Sequence, residues 1–493
     1  MILVCEFVHM SKGALNKFLR GNTTHRLFKI VTFAVTSCVL VTMITFDASA
    51  SSGGRGTVAI NQLNLESTRL REPWYPQAKP ATAPNSAPVT SASSVSSTDT
   101  DAPASTTTEP APTTTSTQPS SPKPLARTSK TPIIGVLGVS GNHFLQERAA
   151  GIGAVTINVG WNEAEPSPGT FSSSYLSSLR AEIATARSAR LSVVLDPGLQ
   201  YPPSWVFSLP GGTRFVDQYG DVFTGSEDSG NNIVNGVTDL AVRYAEGSYL
   251  AWLGTQIQPG EIIGIREGGG PLGELSYPSN DYDGHTNSFW AYDASTQATS
   301  PVPGWTPGTG PAVQAQAFLD AYNATLNSYG SWLNGELGAD FATKVLVLLP
   351  GWGERPVDAA NEVASLLTLN MPEFNEGLDW PDLLDSLPDA SNSVAYTTWL
   401  DAPTYGQTPQ LEDPANYIAS LAATYHLKLG GENTGDGNIA TVTLCFDRAE
   451  ELGYYIVQWM NEPQLISSSS RRHPSGPTLV RLGSMGAKLL GRD

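Results

Sequence analysis

Short apolar runs alternate with longer amphipathic stretches along residues 131–466. Helix-length stretches include Tyr175–Arg190, Ala312–Gly335, Pro414–Tyr425 and Ile439–Leu452. Between them, eight apolar runs have the length and composition of buried strands: Ile133–Val139, Val155–Gly160, Leu191–Leu195, Glu261–Ile265, Lys344–Leu349, Ser393–Thr398, Lys428–Gly431 and Tyr455–Trp459. This repetition predicts parallel strands covered by helices, and eight such units close a (β/α)8 TIM barrel of the α/β class. A doubly wound open sheet is less favoured because no glycine fingerprint for phosphate follows the first strand.

The segments that flank the barrel differ sharply in composition. Residues 1–50 are basic at first, continue with the apolar run Ile30–Phe46 and end in Ala48-Ser49-Ala50. This order predicts a secretory signal peptide, or an uncleaved N-terminal anchor, since the run is near the lower length limit for a membrane span. Residues 51–130 are rich in Ser, Thr and Pro and are predicted to be a disordered linker, and residues 467–493 a flexible basic tail. We therefore expect a secreted or cell-surface-tethered protein.

Charge and cysteine content narrow the choice of partners. The net charge of −18 argues against nucleic acid and against anionic lipid, whereas a neutral carbohydrate is compatible with an acidic protein. Contact with a membrane is expected only through an uncleaved N-terminal anchor. Cys445 is the single cysteine beyond the proposed cleavage site, so the fold is not expected to depend on disulfides. No cofactor is implied, because the histidines lack metal-ligand spacing, although loop acids leave a structural Ca²⁺ open. The oligomeric state is not indicated.

Two glycine-flanked acids are the candidate catalytic residues. Glu274 follows the fourth strand and Glu432 follows the seventh, and strands three apart in a ring of eight face each other across its mouth. Glycoside hydrolysis needs such a pair of carboxyl groups, one protonated and one ionised. Glu267 is the alternative for the proton donor, and Glu462 or Asp401 for the second carboxylate. Serine-triad hydrolysis has little support because no G-x-S-x-G motif is present.

Aromatic and polar residues cluster where the predicted strands end. Aromatic rings can stack on the apolar faces of sugar rings, while carboxylates bind sugar hydroxyls, so this composition favours a carbohydrate substrate. The candidate substrate-binding residues are Trp161, Glu163, Asp196, Trp205, Glu267, Tyr277, Trp352, Trp399, Asn433, Trp459 and Glu462.

Two of these segments resemble motifs of a known family. The segment GPLGELSYPS, which begins at Gly270, resembles the G-P-x-G-E-L-R-Y-P-S loop of the β-amylases, and Gly431-Glu432-Asn433 is similar to their later G-E-N. The β-amylases are inverting glycoside hydrolases on a (β/α)8 barrel. The resemblance implies that Glu274 is the general acid and that Glu432 is the general base that activates water.

Other segments depart from that family. The β-amylase motif H-x-C-G-G-N-V-G-D is replaced after the third strand by the segment Asp196–Trp205, and I-H-W-W-Y is replaced after the fifth strand by Pro350–Gly353. The segments Trp161–Phe171 and Pro202–Trp205 are more similar to the retaining barrel β-galactosidases, although the N-E pair of those enzymes is not reproduced at Glu274. Three hypotheses follow: an inverting glycosidase, a retaining β-galactosidase-like glycosidase, and a catalytically inactive, tethered carbohydrate-binding barrel.

Overall fold

The computed structural model describes residues 132–226, 229–406, 408, 411–435, 437–469 and 477–489. The predicted signal peptide or anchor (residues 1–50) and the predicted linker (residues 51–130) lie outside the described residues. Within the described ranges, no helix combines the length and the apolar character that crossing a membrane requires.

Eight parallel strands form a closed barrel in which each strand pairs with the next and the last pairs with the first. The order of the strands along the chain is therefore also their order around the barrel, which confirms the predicted (β/α)8 fold. The strands are β1 Ile133–Val136, β2 Ala154–Asn158, β3 Ser192–Asp196, β4 Gly264–Glu267, β5 Lys344–Leu349, β6 Ser393–Thr397, β7 Lys428–Glu432 and β8 Ile456–Trp459.

Helices cover the outside of the barrel and follow the strands in sequence. Most begin with a side-chain N-cap or with a proline in the first turn. The Asn438 side chain, for example, accepts hydrogen bonds from the backbone N–H groups of Ala440 and Thr441. The helices are α1 Phe144–Ala150, α2 Trp161–Ala164, α3 Ser173–Ser188, α4 Leu240–Gln256, α5 Ala294–Thr299, α6 Ala312–Phe341, α7 Pro356–Ala364, α8 Pro372–Asn375, α9 Trp380–Asp385, α10 Pro414–Tyr425, α11 Ile439–Leu452, α12 Glu462–Ser469 and α13 Leu479–Leu489.

Alternation along each strand divides the side chains between the barrel interior and the helix layer. The lower interior is apolar and is filled by a cluster that includes Val194, Leu346 and Val394. Toward the carboxyl ends of the strands, the inward positions become polar and include Asp196, Arg266 and Glu432, all buried. The barrel therefore has an apolar floor and a polar mouth.

The predicted flexible tail is wrong for residues 479–489. Helix α13 packs against α1 and β1, and its Leu479 and Leu482 are buried. Gly483 permits this packing, because a side chain there would place its Cβ 1.6 Å from the carbonyl oxygen of Ala150. The last described helix thus completes the outer layer, which the sequence analysis ended at residue 466.

The long segment 281–311 between β4 and α6 has a packed core of its own. Phe289 and Trp290 are buried, and Tyr292 N–H donates to the carbonyl oxygen of Val216 at 2.9 Å. Ser288 Oγ donates to Asp217 Oδ2 at 2.7 Å. The segment is therefore tied to the β3–α4 connection.

Candidate active site

A folded-back glycine loop carries Glu274 to the end of β4. Gly268 faces the returning chain so closely that a Cβ there would lie 2.0 Å from the carbonyl oxygen of Gly273, and Gly270 N–H donates to the carbonyl oxygen of Glu274 at 2.7 Å. Leu275 N–H then donates to the carbonyl oxygen of Leu348 on β5 at 3.2 Å. Glycine is required because no other residue fits this close backbone approach. The loop fixes Glu274 beside the mouth of the barrel.

Glu274 has the properties of a proton donor at neutral pH. Its side chain is partly exposed, yet burial raises its pKa to about 7. The Thr398 hydroxyl lowers this pKa, the negative charge of Glu432 raises it, and the positive charge of Arg266 lowers it. Glu274 is therefore within electrostatic range of both Glu432 and Arg266.

Glu432 lies in a contrasting environment. Arg266 binds both of its carboxylate oxygens, with Nη1 2.6 Å from Oε2 and Nη2 3.1 Å from Oε1. The Tyr396 hydroxyl lies 2.8 Å from Oε2. The side chains of Glu432 and Arg266 are only 5% and 7% exposed, so this bidentate pair is shielded from water. Burial opposes the charge on Arg266, but Glu432 raises the pKa of the guanidinium, and the two groups remain an ion pair.

Asp196 extends the polar cluster to β3. Its carboxylate accepts hydrogen bonds from Gly198 N–H at 2.9 Å and from Gln200 Nε2 at 3.2 Å, and it lies 3.7 Å from Nε of Arg266. Burial raises the pKa of Asp196, and Arg266 opposes that shift. The neighbouring strand contributes Asn158, which is in register with Asp196 and exposed to the cleft. Asp196 thus joins the polar cluster around Arg266, and its predicted contact with substrate stays a prediction.

Two further polar side chains, Gln458 and Thr156, lie between these carboxyl groups and the apolar floor of the barrel. Gln458 on β8 donates from Nε2 to Thr156 Oγ1 at 2.6 Å, and its Oε1 lies 3.1 Å from the Tyr396 hydroxyl. Both Gln458 and Thr156 are buried. This network connects β2, β6 and β8 and holds Tyr396 against Glu432.

Glu267 does not belong to the site, and its predicted role is wrong. Arg266 points into the barrel, so the next residue of the strand points outward. Glu267 is fully buried under α6, where Asn334 Nδ2 donates to its Oε2 at 2.7 Å. It therefore cannot reach a substrate or serve as the alternative proton donor.

Three of the predicted aromatic contacts are core residues, so their predicted contact with substrate is wrong. Trp161 stacks on Tyr249 and donates to Glu165 Oε2 at 2.9 Å. Tyr277 donates from its hydroxyl to the carbonyl oxygen of Tyr322 at 3.1 Å. Trp459 follows the inward Gln458 and is turned to the helix layer by strand alternation. All three predicted residues are almost fully buried.

Glu462 and Asn433 are also buried and have structural contacts. Glu462 Oε1 lies 2.7 Å from Nδ1 of His143, and its side chain is 1% exposed. It is therefore not placed to bind substrate or to replace Glu432. Asn433 donates to the carbonyl oxygen of Gly435 and accepts from Met460 N–H at 2.8 Å, so it shapes the loop after β7.

The remaining predicted residues keep exposed surface at the barrel mouth. Glu163 on α2 is exposed, and the half-buried Trp205 donates to the carbonyl oxygen of Glu165 at 3.0 Å. Trp352 and Trp399 are half-buried in the connections after β5 and β6. Asp401, the other alternative for the second carboxylate, accepts from Thr434 N–H at 2.8 Å and so supports the loop that follows Glu432.

The sequence analysis missed four polar residues of the site. These are Asn158, Gln200, Arg266 and Tyr396. Strand alternation could have identified Arg266 and Tyr396. Each lies two residues after an inward position of its strand, Gly264 or Val394, and therefore also points into the barrel. Within the described ranges, no group of three or more His, Cys, Asp and Glu residues is arranged to hold a metal ion.

The architecture has counterparts among solved structures. The catalytic domain of β-amylase from Paenibacillus polymyxa matches with a TM-score of 0.54 at 17% sequence identity, over 73% of this chain and 98% of that one. The β-galactosidase of the psychrophilic Marinomonas ef1 matches with a TM-score of 0.49 at 11% identity, over 73% and 60%. The β-galactosidase of the Antarctic haloarchaeon Halorubrum lacusprofundi matches with a TM-score of 0.47 at 14% identity, over 72% and 57%.

These similarities define a fold and not an activity. No protein-family model matches the sequence, and no curated protein matches it. The two β-galactosidase similarities are too weak to support an argument. The similarity to the β-amylase domain covers nearly all of that domain, but at 17% identity it extends to the architecture alone. This chain is therefore a (β/α)8 barrel similar in fold to a β-amylase catalytic domain.

Proposed function

We propose that the protein is a glycoside hydrolase that cleaves O-glycosidic bonds of an oligo- or polysaccharide, with Glu274 as general acid and Glu432 as general base. One observation carries the proposal. The two carboxyl groups at the ends of β4 and β7 lie in different environments, since burial raises the pKa of Glu274 to about 7 while Arg266 makes a bidentate contact with Glu432. Such divergence separates a proton donor from a base.

In the preferred inverting reaction, Glu274 donates its proton to the glycosidic oxygen as the bond between this oxygen and the anomeric carbon breaks. A water molecule attacks the anomeric carbon from the opposite face and transfers a proton to Glu432. In this proposal Asp196 and the exposed Asn158, which are in register on neighbouring strands, bind sugar hydroxyls. The resemblance of the Glu274 and Glu432 segments to β-amylase motifs and the similarity of the barrels support this assignment.

The first test replaces Glu274 by Gln in the full chain. The Gln side chain keeps the shape of Glu but has no acidic proton to transfer, so hydrolysis of soluble starch, β-galactan and chromogenic glycosides should fall by at least about 10²-fold. Glu267→Gln is the matched control, because Glu267 ends β4, whose loop carries Glu274, but its side chain faces α6. Full hydrolysis by the Glu274 variant would refute the assignment.

A retaining, β-galactosidase-like reaction is the second candidate, in which Glu432 attacks the anomeric carbon directly. The similarity of the segments Trp161–Phe171 and Pro202–Trp205 to the barrel β-galactosidases favours it. NMR of the first-formed sugar distinguishes the two reactions, because inversion and retention give opposite anomers. Binding of these glycans without any turnover would instead support an inactive carbohydrate-binding barrel.

Export is part of the same proposal. The order of basic residues, apolar run and Ala48-Ser49-Ala50 at the N-terminus supports secretion or attachment to the cell surface, where polysaccharides are accessible. Expression of the full chain in a secreting host tests it. Release into the medium with Ser51 at the N-terminus indicates cleavage, whereas retention of the uncut chain in the membrane fraction indicates an anchor.

A further inference from the structure

Two aromatic rings from neighbouring connections stack on each other. Trp352 follows β5 and Tyr405 follows β6, and their ring centroids lie 5.2 Å apart with 18° between the ring planes. Trp352 is half-buried, but Tyr405 is 68% exposed. Because the two rings are nearly parallel, Trp352 supports one face of Tyr405 and leaves the opposite face of that ring to solvent.

The stack is connected to the proposed catalytic residues through both of its strands. Thr398, whose hydroxyl lowers the pKa of Glu274, begins the segment that leads from β6 to Tyr405. The carbonyl oxygen of Leu348 on β5, which accepts from Leu275 N–H, lies near the start of the segment that carries Trp352. Both connections therefore leave the barrel beside Glu274.

The backbone around Trp352 is tightly constrained. Gly351 and Gly353 have φ of +69° and +70°, in the left-handed region that favours glycine. Gly353 also lies against the ring of Trp380, where a Cβ would come within 2.4 Å of a ring atom. The backbone that carries Trp352 is thus already ordered, so ligand binding would cost little conformational entropy there.

A buried arginine holds the segment that presents Tyr405. Arg448 on α11 donates from Nη1 to the carbonyl oxygens of Leu400 and Ala402 at 2.6 and 2.7 Å, and from Nη2 to Thr404 Oγ1 at 3.1 Å. The same Nη2 lies 3.0 Å from Oδ2 of Asp413, where the segment ends. Four contacts of a single side chain hold Leu400, Ala402, Thr404 and Asp413, and Tyr405 follows directly after the held Thr404.

We propose that Trp352 and Tyr405 form an aromatic platform that binds a sugar ring of the substrate beyond the ring that is held at Glu274 and Glu432. The inference rests on the proposed glycosidase function and deepens it, because it makes a chain of several sugars the preferred substrate. The apolar face of a pyranose ring matches the flat exposed face of Tyr405 in size, and its hydroxyl groups stay in water. Because the connections after β5 and β6 carry the two rings, the platform would take the next part of the same saccharide.

Binding is tested in the Glu274→Gln background, so that the outcome does not depend on turnover. Migration in native gels that contain soluble starch or β-1,4-galactan reports affinity for each polymer. We expect one of the polymers to retard the Glu274→Gln protein, and the further substitutions Trp352→Ala and Tyr405→Ala to abolish most of that retardation. Tyr244→Ala is the matched control, because Tyr244 lies on the outer helix α4 and is 75% exposed.

Kinetics with the otherwise unchanged enzyme give a second readout. Loss of either ring should raise KM for a long oligosaccharide by about tenfold, the effect of one aromatic contact, and leave kcat within about twofold. The Tyr244→Ala control should keep both KM and kcat of the unchanged enzyme, because Tyr244 lies on the outer helix α4.

Three results would overturn the platform. The first is that the Ala variants are retarded as strongly as the Glu274→Gln protein. The second is that neither polymer retards the Glu274→Gln protein. The third is an increase in mass with protein concentration that the Ala variants abolish, since this would assign the surface to self-association. Failure of the proposed function looks different, since the wild-type chain would then bind polymer at the platform and hydrolyse none of it. Thermal unfolding of each Ala variant verifies that it is folded.

Discussion

The two candidate catalytic carboxyl groups show how the environment gives one residue type two roles. The largest effect on the pKa of Glu274 is desolvation by burial, which raises it. Glu432 is more deeply buried, but Arg266 supplies a matching positive charge with good geometry. The difference between the two groups therefore arises from the position of one arginine on β4.

The first prediction concerns pH dependence. Because Glu274 must be protonated to act, kcat/KM should fall on the alkaline side with an apparent pKa of about 7. Thr398→Val removes the hydroxyl that lowers this pKa, so the alkaline limb should move to higher pH. Thr424→Val on the exposed face of α10 is the control. An alkaline limb that does not move in Thr398→Val would contradict the contact.

A second prediction is independent of any substrate. Burial raises the pKa of Glu274 from 4.5 to about 7. As pH rises through this interval, residue 274 loses its carboxyl proton in the unfolded chain before it does so in the folded chain. The contribution of protonated Glu274 to the free energy of unfolding is therefore complete below about pH 4.5 and is lost above about pH 7. Glu274→Gln should therefore stabilise the protein by about 1–3 kcal/mol at about pH 8, with partial exposure taken into account, and have little effect at about pH 4.

Thermal or chemical unfolding at both pH values measures this difference. Glu163→Gln, an exposed glutamate on α2, should have little effect on stability at either pH. Equal effects of Glu274→Gln at both pH values would show that the carboxyl group is not desolvated.

The third prediction tests the ion pair. Arg266→Met leaves the carboxylate of Glu432 buried without a cation and should cost about 3–5 kcal/mol in the free energy of unfolding. The double variant Arg266→Met and Glu432→Leu removes both charges and should recover much of that loss. Arg187→Met, which breaks a half-exposed pair with Glu261, should cost less than about 1 kcal/mol. Denaturant titration of each variant measures these changes in the free energy of unfolding.

At the scale of secondary structure, strand phase and close packing decide which residues are functional. On β4, Arg266 and Glu267 are adjacent, yet one binds Glu432 in the barrel and the other binds Asn334 on α6. Helix α13 illustrates the packing, because Gly483 brings its backbone onto the end of α1. A glycine in mid-helix is unfavourable by itself, so its presence indicates a tertiary requirement.

The fourth prediction compares two helical glycines. Gly483→Ala should destabilise the protein by about 1–3 kcal/mol, because its Cβ would clash with the backbone at Ala150. Gly338→Ala on α6 should stabilise it by up to about 1 kcal/mol, since no atom lies within 4 Å of the added Cβ. Opposite signs in thermal unfolding are the expected result, and stabilisation by both would contradict the close packing of α13.

At the scale of the whole molecule, the barrel needs its C-terminal helix. The first and last helices of the layer meet where β1 pairs with β8, and the packing of α13 on α1 and β1 covers this closure. Without α13, the apolar surface that contacts Leu479 and Leu482 would face water. The barrel domain therefore extends beyond the boundary that composition indicated.

The fifth prediction follows from that boundary. A chain that ends at Ile466 should unfold at a temperature at least about 5 °C lower than the chain that ends at Asp493, or should precipitate, because it lacks α13. Far-UV circular dichroism during heating measures the change. Equal unfolding temperatures would support the flexible tail that the sequence analysis expected.

The amino-acid sequence by itself determined the class of fold and the order of its elements. Apolar runs and amphipathic stretches are local patterns, so the eight strands and helices such as Pro414–Tyr425 were predicted with nearly their observed bounds. The glycines around Glu274 and Glu432 are likewise local, and they indicated both acids as candidate catalytic residues. Their catalytic roles stay predictions until the variants are measured.

Only the tertiary structure decided which side chains meet and what their environments do to them. Trp161 and Trp459 lie in candidate segments, but burial excludes them from the cleft, and burial depends on the whole helix layer. Arg266 and Glu432 are 166 residues apart in the sequence and bind each other because the barrel closes. Local patterns cannot reveal such a contact, since the phase of each strand and the charge of each neighbour are set jointly by all eight strands.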